Sequence, residues 1–126
     1  MKNRPFRERL GFALTGIRTG WLRESSFRTQ TGIAALALIG LIVLRPAPLW
    51  WATVAVTVAL VLALELLNSA MEAVIDLLHP DIHPSIKVAK DMLAGAVLMM
   101  SCAAMAVGMA MVVDSGPGFL AEIGIW

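Results

Sequence analysis

The sequence predicts an all-α membrane protein in which one amphipathic surface helix precedes three spanning helices. Composition is the first reason: 59% of the 126 residues are hydrophobic and mean hydropathy is +0.80, well above the roughly one-half apolar content of a soluble domain. Second, residues 29–44, 52–64 and 92–113 carry no charge, and with their neighbours each run is long enough to cross a hydrocarbon layer of about 30 Å. Third, seven of the ten basic residues precede position 30, an asymmetry that reports orientation in a membrane rather than nucleic-acid binding. A single membrane domain over residues 1–126 is expected. Cys102 is the lone cysteine, so no internal disulfide can form. The basic start leads into a stretch that keeps its charges and has no small-residue cleavage signal, so no removable signal peptide is expected.

Residues 5–23 form the surface helix. Phe6, Leu10, Ala13, Leu14, Ile17 and Trp21 share an arc of about 100°, with Arg4, Arg7, Glu8, Thr15 and Arg18 outside it, the pattern of a helix lying in an anionic membrane surface. Glu24 and Arg28 follow one turn apart and pair simply as i,i+4 neighbours, unless Glu24 serves a site. The first span, about 26–44, ends at Arg45, Pro46 and Pro48. The second, about 48–77, opens with the interfacial Trp50 and Trp51 and offers Ala55, Ala59 and Ala63 as a seam for close helix packing. Residues 77–90 are expected to be a polar connection broken by Pro80 and Pro84, which keep His79 and His83 from sharing a helical face, so a solvated loop is favoured over a zinc site. Lys87 and Lys90 either meet phosphate or mark the cytoplasmic side. The third span, about 86–113, again carries small-residue pairs, Ala104 with Gly108 and Ala106 with Ala110. After it, DSGPGFLAEIGIW is punctuated by Gly and Pro and ends on Trp126, a residue suited to an interface.

Three spans put nine basic residues on one side and only Arg45 on the other, so the N-terminus and the 77–90 connection are expected in the cytoplasm. On that side the second span ends in ELLNSAMEAVID, where Glu65, Asn68, Glu72 and Asp76 fall within about 80° of one another around a helix. A charged carboxylate near mid-membrane costs roughly 2.5–3.5 kcal/mol on insertion scales, so this stripe must face water or protein. The common phosphate-loop, dinucleotide and hydrolase signatures are absent. What remains is a set of hard oxygen donors with Glu24 and lysines near, suited to a magnesium–nucleotide guest. Glu65 and Glu72 lie about 10 Å apart along the axis, so one can hold metal while the other accepts a proton.

GIRTGWLRESSFR (16–28), ELLNSAMEAVID (65–76) and AKDMLAGAVL (89–98) resemble the prokaryotic membrane diacylglycerol kinases, a family that also includes undecaprenol kinases, and the resemblance covers nearly the whole chain. It implies a homotrimer in the bacterial inner membrane, with each active site shared between protomers and open to the cytoplasm, where Mg²⁺ and ATP are used to phosphorylate a lipid hydroxyl. Glu65 would then be the general base, and Glu24 and Glu72 the metal ligands. Asn68, Asp76, Asp81, Ile82, His83, Lys90 and Asp91 would serve the nucleotide, together with Phe12, which stands where relatives often carry tyrosine. Arg18, Trp21, Ser26, Phe27, Arg28, Thr29, Gln30 and Ala94 would line the lipid side. Pro5 stands where the family has an arginine. The resemblance leans to diacylglycerol over undecaprenol as substrate. A non-enzymatic trimeric channel or assembly subunit is the alternative of another class, but a pore needs polar residues through its whole depth and these gather at one end.

Overall fold

The computed structural model describes residues 2–81 and 83–125. Four helices account for nearly all of them: α1 (Phe6–Arg23), α2 (Ser25–Leu44), α3 (Pro48–Leu78) and α4 (Pro84–Glu122), with no strand among the described residues. α2, α3 and α4 are each long and apolar enough to cross a membrane, and only 11%, 17% and 6% of their most apolar windows are buried within the protomer. So little self-burial leaves these helices lipid or other chains to face, as in a multi-pass membrane protein. Trp126 and Ile82 lie outside the described residues.

Local chemistry sets the helix ends. α1 and α2 are separated by Glu24 alone, in an extended conformation (φ −113°, ψ 109°). Arg45 closes α2 in the left-handed region (φ 46°), its N–H bonding the Leu41 carbonyl at 2.9 Å, and Pro46 prevents continuation. Pro48 opens α3 at the first helical turn, where its missing N–H costs nothing.

Two sequence expectations change. The connection between α3 and α4 is confined to residues 79–83, because Pro84 begins α4 rather than breaking a loop, and His83 Nδ1 caps the new helix by accepting from the Ser85 N–H at 3.1 Å. Likewise the punctuated tail is helix: α4 runs 39 residues, through Gly116, Pro117 and Gly118, to Glu122. Proline normally clashes with the Cβ of the residue before it in an α conformation, and Gly116 has none. Two side-chain bonds then hold the extension, Trp50 Nε1 to Asp114 Oδ2 at 2.8 Å and Arg45 to Glu122 at 3.4 Å.

The helices form an antiparallel up-down-up bundle, closest between α3 and α4. Leu41, Val54 and Met111 make its buried centre, flanked by Ala37, Leu44, Trp50, Val58 and Val107. Ala55, Ala59 and Ala63 are exposed, so that seam faces away from this protomer's own helices. Between α2, α3 and α4 runs a half-open apolar groove of about 500 Å³, crossed at its α1 end by a 3.5 Å hydrogen bond from Gln30 to Ser101. α1 leans on the bundle only at its last turns, touching α2 and α3 but not α4 among the described residues. Gly20 is its one buried residue.

Candidate active site

The carboxylate stripe is built by the last four turns of α3. Glu65 is 4% exposed, the only buried ionisable side chain among the described residues. Three residues on, the Asn68 Oδ1 atom is a buried acceptor with no donor. Glu72 is half-buried and Asp76 exposed, so the stripe climbs from the bundle interior to its surface. Leaving a buried amide oxygen unanswered is costly in a packed interior, which marks this end of α3 as built for something other than packing.

Lys90, on α4, reaches across the short connection to Asp76, with Nζ 2.6 Å from Oδ1. Lys87 and Asp91 pair along the same face of α4 at 2.7 Å. Both lysines precede the apolar run that starts at Met92. Lys90 sets a positive charge beside the stripe, fixed by its bond to Asp76.

On the other flank, α1 and α2 meet at a tight corner. Phe27 is 5% exposed, with its ring against Gly20. A Cβ on Gly20 would stand 2.5 Å from Leu66 Cδ2, the swinging end of that side chain, so α1 closes on α3 next to Glu65 through this contact. The Glu24–Arg28 ion pair does not form. Instead Arg28 Nη1 reaches back past Glu24 and donates to the Trp21 carbonyl at 2.6 Å, while the half-buried Glu24 carboxylate has no ion pair among the described residues. The reason is the orphan carbonyls left at the end of α1, for which an arginine fork is a good donor.

The geometry thus gathers Glu65, Asn68, Glu72, Asp76 and Lys90 along one edge, with Glu24 at the corner Gly20 seats against α3. Arg18, Trp21, Ser26, Thr29 and Ala94 are exposed, and Thr29 bonds back to the Ser25 carbonyl at 3.1 Å. Gln30 faces the groove, Phe27 belongs to the core rather than to an open surface, and Phe12 stands exposed on α1. Asp81 is exposed in the connection, His83 is engaged as a cap, and Ile82 lies outside the described residues. The stripe and Lys90 can accept protons, bind hard cations and meet phosphate. Among the described residues no three His, Cys, Asp or Glu side chains converge tightly enough to cage a metal.

A family model described as prokaryotic diacylglycerol kinase matches residues 11–112. The chain belongs to the prokaryotic diacylglycerol kinase family. The match begins within α1 and ends in α4, so it takes in every residue of the edge just described. At the level of this family the chain is a lipid kinase. No curated protein matches it. Reasoning from sequence did not single out Gly20 and Leu66, whose contact is long-range, or Ser101, the partner of Gln30. The Lys87–Asp91 pair was legible as an i,i+4 spacing.

Proposed function

We propose that this family member transfers the γ-phosphoryl group of ATP to the hydroxyl of diacylglycerol, giving phosphatidic acid, at the cytoplasmic end of the bundle. The observation that carries this reading is Glu65, a buried carboxylate on an apolar helix, one turn from the orphaned Asn68 Oδ1 and beside the contact that docks α1. Such a group is poised to take a proton from an alcohol, a role worth roughly 10²–10⁴ in rate. α1, with its exposed apolar face and basic flank, lies in the headgroup layer and presents the lipid. Arg18, Trp21, Ser26, Thr29, Gln30 and Ala94 line the path of the lipid. Nine of ten basic residues on one side favour the cytoplasm for this end.

Phosphoryl transfer asks mainly for alignment and for positive charge on the γ-phosphoryl oxygens. Lys90 supplies one charge, held in place by Asp76. The hard oxygen donors, with the orphaned Asn68 Oδ1 among them, fit magnesium, which keeps water and phosphate oxygens in its shell and needs only one or two protein carboxylates. Glu24 and Glu72 would hold it; when bound it neutralises charge on the transferring phosphoryl group. Asn68, Asp76, Asp81, Ile82, His83, Asp91 and Phe12 remain the candidates around the nucleotide. Because α1 and α4 do not touch within one chain, a homotrimer with sites shared between protomers is the assembly that joins Arg18 and Trp21 of one copy to Lys90 and Asp91 of another.

Purified protein in micelles with Mg-ATP and either diacylglycerol or undecaprenol tests the reading. Phosphate transfer to diacylglycerol is expected. Transfer only to undecaprenol would reassign the lipid, and transfer to neither would leave a non-enzymatic membrane subunit.

A further inference from the structure

We propose that Arg28 is a positioning residue that locks the α1–α2 corner carrying Glu24. Four observations converge. Glu24 is the single non-helical residue between two helices, so its place depends wholly on how the corner is held. The Arg28 guanidinium is committed to the Trp21 carbonyl at 2.6 Å, a short charge-assisted bond across seven residues that spans the corner. The Glu24 N–H closes the same corner on the Gly20 carbonyl at 2.9 Å. Beneath them Phe27 and Leu66 hold Gly20, which ties the corner to α3 beside Glu65. That bond takes one of the five N–H donors of the guanidinium, and it is the one that fixes the corner. The clamp leaves Glu24 as the acidic group presented at the joint. It rests on the kinase reading only in taking Glu24 as a ligand for the divalent cation.

The test compares Arg28→Gln, Arg28→Lys and Glu24→Gln with the unaltered full chain in micelles. Three readouts are taken: Mn²⁺ binding with a non-hydrolysable ATP analogue by electron paramagnetic resonance, amide hydrogen exchange across residues 21–25, and lipid KM. Arg28→Gln is expected to speed exchange at the corner and weaken Mn²⁺ binding about tenfold, the size of effect seen when a group supporting a metal ligand is lost. Lipid KM stays within twofold. Combined with Glu24→Gln it adds little, and Arg28→Lys, which can still donate to the carbonyl, recovers part of the loss. A raised lipid KM with unchanged Mn²⁺ affinity and unchanged amide protection overturns the proposal, as do additive effects of the two substitutions. If the unaltered chain transfers phosphate to neither lipid while the Mn²⁺ and exchange results hold, the kinase reading fails and the role of Arg28 stands.

Discussion

At the scale of single residues, Glu65 and Gly20 carry the sharpest expectations. Glu65→Gln keeps the shape and removes the proton acceptor, so transfer should fall by about 10²–10⁴ while the chain stays folded and keeps most nucleotide affinity; a kinase assay beside a thermal melt checks both halves. At Gly20, size decides the cost. The atom that an added Cβ meets is the swinging end of Leu66, so Gly20→Ala needs a rotamer adjustment of about 0.5–1.5 kcal/mol. Gly20→Ile pushes a branched side chain into the same contact and should lift α1 off α3, seen as faster proteolysis within α1 and as lost activity.

At the scale of elements, α4 holds the main departure from what the sequence suggests. Gly-Pro-Gly reads as a stop when only local propensity is weighed, yet proline removes one backbone bond and its preceding glycine removes the clash. The bonds that decide the matter, Trp50 to Asp114 and Arg45 to Glu122, join residues far apart in the sequence and leave no periodic trace in it. If the tail is helix, Gly118→Ala, whose Cβ would meet nothing within 4 Å, should stabilise it by about 0.8–1 kcal/mol, measurable as slower amide exchange beyond residue 114. A tail that is loop would not respond. The spans and the carboxylate stripe were legible because hydropathy and a 3.6-residue period are local signals. The corner was not: Glu24 and Arg28 have ion-pair spacing, and only the orphan carbonyls at the end of α1 redirect the arginine.

At the scale of the molecule, most apolar surface of the three long helices is unburied within one protomer, and α1 and α4 stand apart. Were sites shared between copies, mixing Glu24→Gln chains with Lys90→Gln chains, each inactive alone, would restore measurable kinase activity. No recovery would put Glu24 and Lys90 of each site on the same chain. A more general consequence follows from α3 and α4 being bolted together at both ends, by Asp76 to Lys90 and by Trp50 to Asp114. From Trp50 to Asp76 is a rise of about 39 Å, and from Lys90 to Asp114 about 36 Å. The two helices act as matched rails between fixed rungs. Adding or deleting one residue in either rail would slide its end by about 1.5 Å and turn it by about 100°, breaking a rung. A lineage carrying both rungs can exchange side chains freely along these spans, but it cannot follow a thicker or thinner bilayer by changing the length of one span alone.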